Sequence, residues 1–321
     1  MSRLWITWER QRRNRSTSSA LNADLFEVDI KGNSYIRYIK SLYLSAKKII
    51  SQKPTLLFVQ NPSIVLATLA NLLGLFTHIK IIVDAHNAGI YPSEGRNILL
   101  NMLARWIIKN SDLTIVTNNV LSNYVESIGG NSIVLPDPLP EFHNTPTSPK
   151  KLKGTINLLF ICSWADDEPY LELIDAAKII SPNTTIYMTG NWKKCGRIFP
   201  ESLPANVVLT GFISDDEFDS LLFSCDLIID LTNRDNCLVC GAYEAIAAEK
   251  PLLLSDTPVL RSYFDKATVF TKNDSESIAY GIAEAVDNIV TLQKESIILK
   301  SELINRWEKH RENLEEKILK L

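Results

Sequence analysis

The sequence predicts an α/β protein of two doubly wound parallel-sheet domains facing a cleft. Three observations carry this. Short apolar runs alternate with helical patterns along the whole chain, and a proline-rich stretch divides it near the middle. In addition, 321 residues with 45% hydrophobic content exceed what one core of about 250–300 residues uses.

In the first half the apolar runs fall at residues 4–8, 24–28, 56–59, 79–84, 113–116 and 132–135, spaced as strands alternating with crossover helices. Between the second and third runs, Tyr35, Ile36, Ile39, Tyr43, Ala46 and Ile50 recur at helical spacing, and Arg37, Lys40, Lys47 and Lys48 take other positions. This helix is amphipathic and basic. The apolar stretch at residues 64–76 is interrupted by Thr68 and Asn71 and falls short of the roughly 20 residues that span a bilayer, so it reads as a buried helix. Pro136, Pro138, Pro140, Pro146 and Pro149 then disfavour both helix and internal strand. This places a first domain at 1–140 and a linker at 141–154. Strand-like runs resume at residues 158–162, 185–188, 207–210, 227–230, 251–255 and 268–270, giving a second domain at 155–300. A helical pattern over 289–321 ends in a segment, 301–321, able to pack back on the first domain.

A net charge of -3 and a pI near 5.9 give no whole-molecule attraction to nucleic acid, and none is expected as a partner. The segment after Met1 soon meets Glu9 and several arginines, so it lacks a signal-peptide core. Together with five cysteines, an odd number, this predicts a cytoplasmic protein with reduced thiols. Cys237 and Cys240 form a C-x-x-C without a second pair. The acid pairs Asp166-Asp167 and Asp215-Asp216 read as helix caps, and no metal is expected. No G-x-G-x-x-G follows residues 4–8 or 158–162, and no G-x-x-x-x-G-K-[ST] occurs, which argues against dinucleotide redox chemistry and against a P-loop.

In sheets of this kind, ligands sit beyond the carboxyl ends of the strands. There the segment from Leu231 to Pro251 follows a strand ending at Asp230 and opens a helix near Gly241. A glycine at a helix N-terminus lets backbone amides approach a diphosphate. Glu244, one turn on, can point a carboxylate at ribose hydroxyls. Arg234 and Asp235 precede the helix; a guanidinium there can grip phosphate, while N-R-D also serves as a polar cap. In the first half, Asp84 and His86 stand at the end of the fourth run, where His86 is a candidate acid/base group and Asp84 can also cap the strand end. Arg10, Arg12, Arg13 and Arg15 follow the first run. They read either as recognition of a donor or acceptor phosphate or as a solvated basic helix start. With the basic helix around Lys40, they offer a face for peripheral contact with the anionic inner surface of a membrane.

Gly241, Glu244, Ala245, Ala247 and Pro251 match G-x-x-E-A-x-A-x-x-x-P, and here the sequence resembles the GT-B glycosyltransferases, particularly the family-4-like bacterial enzymes. Ser255-Asp256 with Val259-Leu260-Arg261 is similar to that motif's continuation, and Thr210-Gly211-Phe212 to the family's donor-base loop. The resemblance implies two Rossmann-like domains and a nucleoside diphosphate sugar as donor. It implies that Glu244 holds the ribose, that Gly241 and Ala242 approach the phosphates, and that Phe212 lies near the base, where the residue alone reads equally as core. His86 would stand near the donor sugar or leaving phosphate. The sequence departs from the family at Asn236, where a second glutamate is usual, and in the loop Ser163-Trp164-Ala165-Asp166-Asp167-Glu168, which lacks the usual arginine and lysine. Ser163 remains a donor-site candidate there, and Arg234 is the first candidate to meet the diphosphate charge. The expected reaction is transfer to a hydroxyl of a glycan or lipid-linked saccharide, with Asp84 and Asp235 as the acids offered as general base for an inverting transfer. The alternatives are a nucleotide-sugar epimerase and a non-catalytic scaffold of the same fold.

Overall fold

A computed structural model of the chain describes residues 1–30, 32–61, 63–142, 151–196 and 200–321, so positions 143–150 of the expected linker lie outside the described residues. The chain divides into two compact units, Met1–Pro138 with Arg306–Leu321, and Leu139–Asn305.

Unit 1 is built on strands β1 (Arg3–Thr7), β2 (Asp24–Glu27), β3 (Leu56–Asn61), β4 (Lys80–Ala85), β5 (Leu113–Val116) and β6 (Ser132–Val134). They form a parallel sheet in the order β2-β1-β3-β4-β5-β6. β3 is buried along its whole length, which is why its run is apolar on both faces rather than alternating. One face is covered by α2 (Ser34–Gln52), α3 (Ile64–Gly74), α5 (Ile98–Asn110) and α6 (Asn119–Ser127), which bring Ile49, Leu66, Ala70, Ile107 and Leu121 onto Leu4, Leu57 and Ile81, while α1 (Arg12–Ala20) brings Ala20 to the other. The short α4 is Asn87–Ile90. On the other face Trp5 stacks on Phe58 at 5.2 Å, and the core is completed by Trp307, Leu314 and Ile318. These three come from the end of a helix spanning Ile289–Ile318. Trp307 Nε1 donates to the Pro136 carbonyl at 3.1 Å, and Arg3 makes a bidentate pair with Glu315 at 2.6 and 2.7 Å.

α2 departs from the usual polarity of a surface helix. Its buried residues are Ser41, Ser45 and Ile49, whereas Tyr35, Ile36, Ile39, Tyr43 and Ile50 are exposed.

Unit 2 contains β7 (Ile156–Phe160), β8 (Thr184–Thr189), β9 (Val207–Gly211), β10 (Leu227–Asp230), β11 (Leu252–Ser255) and β12 (Thr268–Thr271), parallel in the order β12-β11-β10-β7-β8-β9. α7 (Tyr170–Ala176) and α11 (Ser275–Asp287) pack on one face through Leu173, Ile278 and Ile282. The other face takes α8 (Asp215–Ser224), α9 (Cys240–Ala247), α10 (Pro258–Tyr263) and the start of the long helix, α12, through Leu221, Ala245, Leu260 and Leu299. Leu139, Phe142 and Leu152 pack against this second core, so the described flanks of the proline-rich stretch are part of it. α8 starts with a capping box of Ser214 and Glu217, which puts Asp215 and Asp216 in its first turn, where the helix dipole favours them. The strand order reverses about β7: β8 lies on one side, while β10 returns on the other. The loops after β7 and β10 therefore diverge at a switch point.

Among the described residues no helix is long and apolar enough to cross a membrane, no three His, Cys, Asp or Glu side chains gather as a metal site, and the five cysteines are free thiols.

Candidate active site

At the switch point of unit 2, β10 ends on the buried Asp230 and α9 begins at Cys240. A Cβ on Gly241 would come within 2.6 Å of the Asp230 carboxyl and 2.8 Å of Ile161, so only glycine lets the helix start approach both neighbouring strand ends. Burial, first, and then the charge of Glu168 push the Asp230 carboxyl well above the usual carboxylate range; Glu244 adds to this, and the amides of Gly241 and Ala242 oppose it. The two amides expected at a diphosphate are thus directed at Asp230. Glu244 sits one turn into α9, half-buried.

The loop after β7 is organised by Glu168. Its carboxylate accepts from the Ser163 amide at 3.0 and 3.1 Å, the Ser163 hydroxyl at 2.8 Å, the Ala165 amide at 3.0 Å and the Cys162 thiol at 3.2 Å. Trp164 takes a left-handed φ of 64°, a conformation that needs outside support in a non-glycine residue. The support is its Nε1 donating to the Thr189 carbonyl at 2.8 Å and its ring packing on Tyr170. Burial, first, and Glu168 push the Cys162 thiol far above the usual range.

Asp167 fastens this loop to the one after β10. Its carboxylate accepts from the Thr232 hydroxyl at 2.9 Å, its carbonyl from the Asn233 amide at 2.7 Å, and Arg234 stands 3.2 Å away. Asn273, beyond β12, donates to the Thr232 carbonyl and the Asn233 side chain, both at 2.8 Å, and accepts from Ser255 at 2.7 Å. The loops after four strands thereby form one hydrogen-bonded rim. Arg234 lies in it, ion-paired to Asp167 yet with 45% of its side chain exposed. Asp235 and Ser163 are exposed. Phe212, beyond β9, is 89% exposed and has no place in the core. The roles of Asp167, Glu168, Ser255 and Asn273 in this rim escape sequence reasoning: Asp167, expected as a helix cap, instead ties two loops together, and α7 is capped by Pro169. The only signal these residues offer is a position at a strand end.

In unit 1, Arg13 turns inward from the first turn of α1. It donates to Asp84 at 2.7 and 3.0 Å and to the Leu135 carbonyl at 3.1 Å, and it also pairs with Asp137. Both Arg13 and Asp84 are buried. Burial opposes their charges, but mutual attraction outweighs it, holding Asp84 far below the usual carboxylate range and Arg13 above its own. Neither sequence reading of Arg13, phosphate ligand or solvated helix start, describes a guanidinium enclosed this way. Asp84 is correspondingly a weak base. Arg15 pairs with Glu27 at 2.9 Å on the surface, and the side chain of Arg12 lies outside the described residues.

His86 is the N-cap of α4. Its Nε2 stands 3.6 Å from Asp84, and its amide donates to the Asn61 carbonyl at 2.9 Å. Four buried side-chain atoms here, Asn61 Oδ1, Ser63 Oγ, His86 Nε2 and Asn87 Oδ1, have no hydrogen-bond partner among the described residues. Buried polar atoms are ordinarily satisfied, so their gathering at the ends of β3 and β4 marks a place suited to a ligand's hydroxyls. Gly89 permits it: a Cβ there would meet Asn61 at 2.6–3.0 Å.

No protein-family model matches the chain, and no curated protein matches it at a significant level. Solved structures match its fold. Sucrose-phosphate synthase from Thermosynechococcus elongatus aligns with a TM-score of 0.77 at 14% identity, over 100% of this chain and 99% of that one. HepE of Anabaena, in a complex with UDP and glucose, aligns with 0.74 at 13% identity, over 98% and 91%. A Listeria monocytogenes protein assigned as a UDP-N-acetylglucosamine 2-epimerase aligns with 0.55 at 12% identity, over 88% and 80%. The likeness at these identities is one of fold, and it agrees with the two parallel sheets and their strand order: the chain has the GT-B fold, with two Rossmann-like domains.

Proposed function

We propose that the chain is a glycosyltransferase that moves a sugar from a nucleoside diphosphate sugar to an acceptor hydroxyl on a glycan or lipid-linked saccharide. The observation that carries this is the switch point of unit 2, where Gly241 alone permits the close approach of α9 and Glu244 follows one turn later. Glu244 accepts hydrogen bonds from the ribose. The diphosphate lies near the start of α9, where the positive end of the helix favours an anion, beside Asp230, to which the Gly241 and Ala242 amides are directed. Arg234 exchanges Asp167 for phosphate, with bidentate geometry open to it. Phe212, exposed beyond β9, offers a face for the base. That HepE is solved with UDP-glucose makes a uridine nucleotide the first donor to try.

In unit 1, Asn61, Ser63, Asn87 and His86 take hydroxyls of the acceptor. His86 carries the proton traffic, and Asp84, fixed by Arg13, positions its ring instead of acting as the base. Asp235, exposed on the β10 loop, is the remaining carboxylate for an inverting transfer. No metal enters the proposed reaction.

Incubation with radiolabelled UDP-glucose and oligosaccharide or lipid-linked acceptors tests the reading. Label transferred to an acceptor supports it. The second reading, favoured by the Listeria likeness, is an epimerase, and it would release an altered nucleotide sugar without any acceptor.

A further inference from the structure

We propose that α12 carries a self-association face through which two copies of the chain pair as an antiparallel dimer centred on Ser301. The argument is independent of the reaction. At 3.6 residues per turn, the buried Leu292, Ser296, Leu299 and Leu303 run along one side of the helix. Val290, Lys294, Ile297, Ser301, Ile304 and Glu308 run along the opposite side at alternating intervals of four and three, the spacing by which one helix seats against another. Ile298 and Asn305 flank this second stripe, and all of these residues are exposed. Among its apolar members Val290 is 66% exposed, and Ile297, Ile298 and Ile304 are about half exposed. The middle of α12 is thus apolar on both sides, whereas a helix that only covers a core keeps its outer side polar.

The order of side chains along the stripe identifies what covers it. Lys294 lies seven residues before Ser301 and Glu308 seven after, about 10 Å to either side at a rise of 1.5 Å per residue. A second copy turned about a twofold axis through Ser301 brings Lys294 opposite the partner's Glu308, and symmetry makes that contact twice. The same rotation sets Ile298, three residues before the axis, opposite the partner's Ile304, three after it, with Ile297 beside them. The isoleucines then form an apolar centre and the ion pairs a charged rim, as interfaces are built. A parallel pair would instead set lysine against lysine and glutamate against glutamate. Ser301 is small enough for the helices to approach at the axis, and its hydroxyl is already satisfied, donating to the Ile297 carbonyl at 3.3 Å. Glu308 pairs with Arg311 along its own helix at 2.8 Å yet keeps 49% of its side chain exposed, leaving its carboxylate open to a second cation.

The test is sedimentation equilibrium of the full chain over about 1–100 μM, beside Ile298→Ser/Ile304→Ser, the single reversals Lys294→Glu and Glu308→Lys, and the exchange Lys294→Glu/Glu308→Lys. The expected result is a monomer–dimer equilibrium. Its dissociation constant rises about tenfold or more in the serine variant and rises in each single reversal. The exchange returns it to within about threefold of the wild type, because the reversed partners still match. Every substituted side chain is exposed, and circular dichroism checks that the variants stay folded. A monomer at all concentrations overturns the proposal and leaves the face to a different protein. A dimer that the serine variant does not weaken overturns it as well, as does an exchange no tighter than the single reversals, or assembly that continues past two copies.

Discussion

Arg13 and Asp84 stand 71 residues apart and meet because the start of α1 and the end of β4 both lie at the carboxyl end of the sheet, with β1 and β4 flanking β3. Breaking a buried pair leaves one charge unanswered, so Asp84→Ala should lose about 3–5 kcal/mol of stability, read by urea denaturation at neutral pH. Because pairing lowers the folded pKa of Asp84, its contribution is fully present above the unfolded value, about 3.9, and is lost as pH falls from there toward the folded value. A variant as stable as the wild type would show that the pair contributes nothing. Asp230 runs the other way. Its folded pKa is raised, so stability from this group is present below about pH 3.9 and lost as pH rises toward the folded value. Asp230→Asn should therefore raise the Tm at pH 7.5 more than at pH 4, and an equal or lower Tm at pH 7.5 would contradict the burial argument. Single residues were unevenly legible in the sequence. Gly241 stood out because its close approach to Asp230 depends on a helix start visible in local spacing, and the role proposed for Glu244 rests on the same spacing. The pairing of Arg13 did not, because its partner is set by tertiary placement, and a run of arginines reads as surface whichever member turns inward.

Among the elements, the strands were the most legible. Parallel strands buried on both faces demand unbroken apolar runs, and the expected runs at 56–59 and 79–84 fall on β3 (Leu56–Asn61) and β4 (Lys80–Ala85). The helical pattern of α2 was equally plain, but its orientation was not: period alone cannot say which stripe meets the core, and here two buried serines and Ile49 do. The rim of unit 2 was illegible for another reason. Its bonds join residues 65 and 41 positions apart, Thr232 with Asp167 and with Asn273, and only the strand order brings them together. The end of α12 supplies a layer of the unit 1 core, with Leu314 and Ile318 at 0% exposure and Trp307 at 9%. Trp307→Ala should cost about 3–5 kcal/mol, measured as a lowered denaturation midpoint. Because the chain has two compact units, the loss should fall on one of two transitions if they unfold separately. A shift below about 1 kcal/mol would mean that the helix end is a loose cover.

At the scale of the whole molecule, the repeated alternation of strand and helix announced two Rossmann-like halves, and the solved structures share that fold over nearly the full chain. The chemistry rests on fewer residues, since fold alone does not fix function. The central claim is that unit 2 holds a nucleoside diphosphate at the start of α9 with Glu244 on its ribose. Calorimetric titration of the wild type and of Glu244→Ala with UDP and GDP tests it most directly. The account predicts saturable binding selective for one base and weakened at least tenfold, about 1.4 kcal/mol, by the substitution. Binding of neither nucleotide, or equal affinity in the two proteins, would contradict it.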